Sequence, residues 1–307
     1  MTQPKLERGL IVANYGRHFL VETPEGERRI CHSRGKKSTG LVGDRVLWQA
    51  SEDEGTIEKI EDRKNVFYRQ DEIRTKSFAS NLDQILILIA AEPEFSSSQL
   101  SRALIAAEAE HITPIIALNK RDLTEPFSRA WDWLRPYRAM NYDVLPLSLR
   151  EVGGTDKTEL LKVLGGKTTL VLGPSGAGKS TLINLLAPGA LAQTGEISQA
   201  LNSGKHTTTS TTWYWADDEK STALIDSPGF QEFGLNHIPP AQLAAYMPDF
   251  RPHISNCKFY NCSHLHEPGC SVMAALKSES DSPEGISANR YKIYSDLYAE
   301  LSQTRKY

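Results

Sequence analysis

The chain has 307 residues, of which 39% are hydrophobic and 24% charged, and its formal net charge is −3. That length suits two or three domains with real cores, and the charge gives no sign of nucleic-acid binding, although local basic patches can act on a mildly acidic protein. No apolar run approaches a bilayer span; the longest, "ILILIAA" from Ile85 to Ala91, has the length of a buried strand.

The N-terminal "MTQPKLERGL" has no apolar signal core, so the cytoplasm is the expected compartment and no membrane partner is expected. Up to about residue 70, apolar and polar residues alternate between turn signals at Asn14–Gly16, Pro24–Gly26 and Glu54–Gly55. Four or five short strands in that length predict a small β-barrel, and an OB-fold is the most economical form. The basic cluster "HSRGKKS", His32 to Ser38, reads as a loop between strands that could contact phosphates. From about 71 to 237 strands and helices alternate. "LDQILILIAAE", "TPIIALNK", "YDVLPLS" and "TTLVLG" read as strands, and "SSSQLSRALIAAEAEH", "FSRAWDWLRPYRAM", "TDKTELLKVL" and "GKSTLINLLA" as helices. Such alternation predicts a mostly parallel sheet covered on both faces, with "TTWYWAD" and "STALIDS" as a hairpin pair. From 238 to 307 the chain holds three of its four cysteines and a terminal helix, in which Tyr291, Tyr294, Leu297, Tyr298 and Leu301 form a packing stripe.

"GPSGAGKS", Gly173 to Ser180, fits G-x-x-x-x-G-K-[ST] between a strand and a helix. In such a loop the backbone N–H groups of Gly173, Ser175, Gly176, Ala177 and Gly178 converge on phosphate oxygens, Pro174 is a loop member with no N–H to give, and the helix adds its positive end. Lys179 supplies charge to the β and γ phosphates, and the Ser180 hydroxyl suits Mg²⁺. "NKRD", Asn119 to Asp122, chooses the base: the Asp122 carboxylate can accept from guanine N1–H and N2–H₂, a pair that adenine lacks. Asn119 can support the base and its loop, the Lys120 stem can cover the ring, and "PLSLR" around Ser148 is a weaker candidate for a further base contact. In "LIDSPGF", Asp226 can hold Mg²⁺ through water and the Gly229 N–H can meet the γ-phosphate. Between these lies "SGKHTTTST", where Thr207 or Thr208 is the expected second Mg²⁺ hydroxyl; spacing does not choose between them. The residue after D-x-x-G, a water-orienting glutamine in many GTPases, is Phe230. His206 is the nearest candidate for the catalytic group, with an ordinary solvated loop histidine as the competing reading.

Cys257, Cys262, His264 and Cys270 form C-x₄-C-x-H-x₅-C, a set suited to a closed tetrahedral Zn²⁺ site of structural kind, with His266 as a competing ligand. Cys31 lies far away and reads as a packed or free thiol.

The motif order "NKRD", "GPSGAGKS", "KHTTT", "DSPG" is a circular permutation of the usual GTPase order, tolerated because new termini at exposed loops leave a sheet intact. With a barrel before it and the cysteine cluster after it, the whole chain resembles the ribosome small-subunit-dependent GTPase A family, RsgA or YjeQ. The resemblance implies a multidomain protein with an N-terminal OB-fold β-barrel (1–70), a central α/β P-loop GTPase domain of permuted order (71–237) and a C-terminal zinc-binding α-helical domain (238–307). It implies late assembly of the small (30S) ribosomal subunit, contact with that subunit and its rRNA through the barrel and zinc modules, and GTP hydrolysis to GDP that is faster on the subunit. Nucleotide contacts carry over onto Asn119, Lys120, Asp122 and Gly173 to Thr181, and zinc ligands onto Cys257, Cys262, His264 and Cys270, which favours His264 over His266. One zinc per chain, Mg²⁺ with GTP and a monomer are expected. Two rivals predict otherwise: an RNA-binding scaffold only locked by nucleotide, and an ATPase subunit, which "NKRD" opposes.

Overall fold

Alternating apolar and polar side chains build five strands in the first sixty residues: β1 (Glu7–Asn14), β2 (His18–Glu22), β3 (Arg28–Ser33), β4 (Arg45–Ala50) and β5 (Gly55–Ile60). In this computed structural model, which describes residues 6–35, 40–51, 54–71, 74–150, 155–188, 211–228, 233–276 and 285–303, β1 pairs with both β2 and β4. Pairing then runs β2–β3, β3–β5 and β5–β4, so the five strands close, with only β3–β5 parallel. This is the OB-like barrel expected from the turn spacing. Its interior holds Ile11, Phe19, Val21, Val46 and Trp48, and Cys31 is buried among them. Strand β3 runs through Ser33, so the first two residues of the basic cluster are strand rather than loop; positions 36–39 lie outside the described residues.

The barrel ends at Ile60, and a separate hairpin of β6 (Val66–Gln70) and β7 (Thr75–Ser80) follows, crossing residue 70. Buried Asp44 fastens hairpin to barrel: it accepts from Arg63 Nε and Nη2 at 2.7 Å each, from Ser80 Oγ at 2.6 Å and from the Leu41 N–H at 2.8 Å. A buried carboxylate is tolerable only with such donors.

The α/β segment consists of β8 (Gln84–Ala90), α1 (Ser97–Ala109), β9 (Thr113–Asn119), α2 (Thr124–Trp133), α3 (Arg135–Ala139), β10 (Asp143–Pro146), α4 (Thr155–Leu164), β11 (Thr168–Leu172), α5 (Lys179–Leu186), β12 (Thr212–Trp215) and β13 (Ala223–Asp226). Its strands lie in the order β10-β9-β8-β11-β13-β12, parallel except β12, which forms the expected hairpin with β13. Ser96 caps α1 by accepting from the Gln99 N–H. "FSRAWDWLRPYRAM", read as one helix, is two, broken at Leu134. Pro136 has no N–H and sits in the first turn of α3, where none is needed. Barrel and sheet are joined by one antiparallel pairing, Ala13 with Thr212.

Beyond the sheet, Phe233 packs against Phe67 and Phe78, and Gln70 exchanges backbone bonds with Gly234 and Asn236 at 3.0 Å each. Short helices α6 (Pro240–Leu243), α7 (Arg251–Ile254) and α8 (Ser271–Leu276) lead to the long α9 (Ala288–Gln303). Buried Arg290 docks α9, donating to Asp249 at 2.9 and 3.0 Å and to Ser101 Oγ of α1 at 2.8 Å. Among the described residues no helix is long and apolar enough to cross a membrane.

Candidate functional site

Three parallel strands deliver the nucleotide motifs to one edge of the sheet. Strand β11 ends at the phosphate loop, β8 and β13 flank it, and β9 ends at "NKRD". The carboxyl ends of such strands are where ligands of doubly wound sheets bind. A Cβ on Gly173 would stand 2.2 Å from the Leu88 carbonyl oxygen, so only glycine lets the loop leave the sheet here. Gly178 has φ +105°, and a Cβ there would meet Asn119 Nδ2 at 2.5 Å. Ala177 is buried against the sheet, while Ser175, Gly176, Ser180 and Thr181 are exposed and Pro174 is half-buried.

Lys179 Nζ donates to the Gly173 carbonyl at 2.7 Å, folding the ammonium over the loop. Burial pulls its pKa down, and nearby Asp226 pushes it back up. Asp226, 3% exposed, pairs in register with Val171 and so stands beside the loop. Burial raises its carboxyl to about 6 against the opposing pull of Lys179. Its Oδ1 is buried with no hydrogen-bond partner among the described residues. An orphaned carboxylate oxygen beside a phosphate loop fits a hard cation such as Mg²⁺.

Asn119 joins the base motif to the phosphate loop. Its Nδ2 donates to the Ala177 carbonyl at 2.9 Å, and its Oδ1 accepts from the Leu149 N–H at 3.1 Å. Lys120 lies at φ +69°, and its ammonium donates to the Glu92 carbonyl. Asp122 Oδ1 accepts from Ser148 Oγ at 3.1 Å, which brings Ser148 to the base motif. Beside these groups opens a cleft of about 590 Å³ lined by Glu92, Pro93, Lys120, Asp122, Arg129 and Arg150 among others. Three parts of this frame escaped sequence reading. Asp156 accepts from the Ser148 N–H at 2.5 Å, Ser227 Oγ donates to the Val171 carbonyl at 2.9 Å, and Glu92 supplies its carbonyl. Only Asp156, in the first turn of a predicted helix, carried any signal. His206, Thr207, Thr208 and Gly229 lie outside the described residues, as does Phe230.

The second site is complete. One ligand atom from each of Cys257, Cys262, His264 and Cys270 lies within 4.8 Å of the others. His264 Nδ1 is 3.5 Å from both Cys257 Sγ and Cys270 Sγ, and those sulfurs are 3.9 Å apart. A tetrahedral zinc with bonds of about 2.3 Å has edges of about 3.8 Å, so the spacing fits such a cation. His264 is buried at φ +61°, whereas His266 is exposed, so only His264 joins the cluster. Burial, together with the neighbouring thiols, pushes Cys262 up to about 12, and burial pulls His264 down. The aromatic stripe of α9 does more than pack: Tyr291 and Tyr294 donate hydroxyls to the His264 and Ser263 carbonyls at 2.8 and 2.7 Å. Glu267 holds the same loop, accepting from the Ser263 N–H at 2.8 Å.

Comparison with known proteins agrees with this geometry. The family model described as RsgA GTPase matches residues 60–236. The small ribosomal subunit biogenesis GTPase RsgA of Variovorax paradoxus (strain S110) is 71% identical over 98% of this chain and 94% of its own. The protein of that name in Burkholderia pseudomallei (strain 1710b) is 49% identical over 96% of this chain and 93% of its own. Among solved structures, YloQ, described as a circularly permuted GTPase, superposes with a TM-score of 0.71 at 27% identity, covering 99% of this chain and 97% of its own. YjeQ from Thermotoga maritima does so with 0.72 at 27% identity, covering 97% of this chain and 99% of its own. The permuted sheet, the joined phosphate and base loops, and these matches along nearly the whole chain lead to one conclusion: the chain belongs to the RsgA GTPase family.

Proposed function

We propose that this chain is a GTPase of small ribosomal subunit biogenesis, hydrolysing GTP to GDP and phosphate when bound to that subunit. The observation that carries the reading is the bridge made by Asn119, which ties the Ala177 carbonyl of the phosphate loop to the loop holding Leu149. It brings together two motifs far apart in sequence, which supports reading them as one guanine-nucleotide site. Gly173 to Thr181 would wrap the phosphates, with Lys179 turning from the Gly173 carbonyl to the β and γ oxygens. Asp122 would read the base, Lys120 cover it and Asn119 hold both loops. Ser180 and Asp226 would hold Mg²⁺, joined by Thr207 or Thr208, with Gly229 at the γ-phosphate. The cation supplies charge that neutralises phosphate oxygens. His206 is the proposed catalytic group, brought to the attacking water on the subunit. A structural Zn²⁺ on Cys257, Cys262, His264 and Cys270 would hold the third module. We divide the chain into barrel, GTPase and zinc modules, with the hairpin of β6 and β7 spanning the 70/71 boundary between the first two and the zinc module at 238–307, and propose that the chain is a cytoplasmic monomer that touches rRNA through the barrel and zinc modules.

Sedimentation with purified subunits tests the partner. With a non-hydrolysable GTP analogue the chain is expected to pellet with small subunits and not with large ones, and GDP should lower the bound fraction; equal pelleting with both subunits would defeat the reading.

The Asp226 pKa gives a further expectation. Mg²⁺ needs the ionised carboxylate, so Mg²⁺–GTP affinity should fall roughly tenfold per pH unit once pH drops below about 6. The folded pKa lies above the ordinary value. This group therefore favours the nucleotide-free fold most at low pH, and that contribution is lost as pH rises from the usual carboxylate range through about 6. Calorimetric titration with GTP at pH 5 to 8, with Asp226→Asn alongside, checks the first point: the variant should bind weakly and without that slope.

A further inference from the structure

Asp156 lies in the helix segment "TDKTELLKVL" and outside the nucleotide and cysteine motifs. It is the second residue of α4, where an acidic side chain is ordinarily explained as a partner of the helix dipole. Its contacts say otherwise. The carboxylate is mostly covered, with 14% of the side chain exposed. One oxygen, Oδ2, accepts the Ser148 backbone N–H at 2.5 Å, and Oδ1 accepts from the Arg121 guanidinium at 3.2 Å.

Those two donors stand on either side of Asp122. Arg121 immediately precedes it in the chain, and Ser148 donates its hydroxyl to Asp122 Oδ1 at 3.1 Å. One carboxylate therefore holds both the covalent neighbour and the hydrogen-bonding neighbour of the residue that reads the base. The same two loops are also zipped by Arg121 N–H to the Leu147 carbonyl at 2.9 Å and by the Leu149 N–H to Asn119 Oδ1 at 3.1 Å. Ser148 is 1% exposed, so without Asp156 its N–H would be a buried donor lacking its acceptor.

We infer that Asp156 is a positioning residue for guanine specificity: without touching the base, it fixes the Arg121 and Ser148 loops so that both oxygens of Asp122 face the guanine edge. This rests on the reading of Asp122 as the guanine acceptor. Two-point acceptance requires a fixed carboxylate plane, because each hydrogen bond weakens steeply off line. Inosine keeps N1–H and lacks the 2-amino group, so the preference for GTP over ITP reports whether the second Asp122 oxygen is in place.

The test is competition of GTP, ITP and ATP against fluorescent GDP on the full chain and on Asp156→Ala and Asp156→Asn. The unaltered chain should prefer GTP to ITP by about tenfold or more, the value of one charge-assisted hydrogen bond. Asp156→Ala should bring that ratio close to one and weaken GTP about tenfold while leaving ATP binding unchanged. Asp156→Asn keeps an oxygen for the Ser148 N–H and loses the charge facing Arg121, so it should fall between. A GTP-to-ITP ratio unchanged in the variants, or an equal loss for GTP, ITP and ATP, would overturn the inference. Should Asp156→Ala fail to fold, an unchanged ratio in Asp156→Asn does so alone. If the unaltered chain does not distinguish GTP from ATP, it is the reading of Asp122 that has failed.

Discussion

Replacing Asp122 by asparagine is expected to weaken GTP binding by about a hundredfold and to make xanthosine triphosphate the better ligand. Guanine presents two donors, N1–H and N2–H₂, and an ionised carboxylate is acceptor-only. An amide there keeps one acceptor and turns an NH₂ toward the guanine 2-amino group, so two donors face each other with no water between them. One hydrogen bond is lost and one group is left unsatisfied. At about 1–3 kcal/mol for each, the sum reaches the 2.8 kcal/mol that corresponds to roughly a hundredfold. Xanthine carries a carbonyl where guanine has the amine, so the same amide donates to it and accepts from N1–H. The surrounding frame tolerates the change, because Ser148 Oγ can donate to an amide oxygen as it does to Asp122 Oδ1. Competition against fluorescent GDP measures the ratio directly. An unchanged preference for GTP over xanthosine triphosphate would show that Asp122 does not read the base.

Loss of the metal should be as damaging to the third module as loss of Asp122 is to the base site. Purified protein should carry one zinc per chain. Cys270→Ser or exhaustive chelation should open the segment from Cys257 to Gln303 to protease by about a hundredfold or more, while GDP binding changes little. Cys270 is buried, and the loop that carries the four ligands has little apolar cover of its own. Structural zinc contributes about 10 kcal/mol or more to such folds, far beyond what one packed residue can replace. The hydroxyls of Tyr291 and Tyr294 depend on the same loop, since they donate to its carbonyls, so α9 should loosen with it. Metal analysis of the intact chain and limited proteolysis before and after chelation test this. Undiminished protease resistance in the metal-free chain would assign the module's stability to packing instead.

Much of the fold could be read from sequence because its signals are local. "ILILIAA" and "IIAL" are apolar throughout, as strand segments covered on both faces must be, and they supply buried parts of β8 and β9. The permutation was visible because the motifs keep their chemistry in any order. What escaped reading depends on contacts across the fold. The boundary expected near residue 70 falls inside the hairpin of β6 and β7, and the pairing of β1 with both β2 and β4 shows that the barrel has closed before that hairpin begins. Asp156 looked like a helix-start residue, since its acceptance of the Ser148 N–H is a tertiary contact. Tyr291 and Tyr294 were legible as packing from their spacing, but their hydroxyl partners lie on a loop far earlier in the chain. His264 and His266 differ by two positions, and burial of the first beside the three cysteines decides between them.

Phe230 bears on turnover more than on binding: it occupies the position immediately after D-x-x-G where many GTPases carry a water-orienting glutamine, so the chain alone should hydrolyse GTP slowly. The direct test is GTP turnover by the pure protein, alone, with small ribosomal subunits and with large ones. A rise of at least about tenfold with small subunits only is the predicted result, and it would make His206 the first residue to replace. No rise, with tight GTP binding retained, would contradict the account and leave a scaffold locked by its nucleotide.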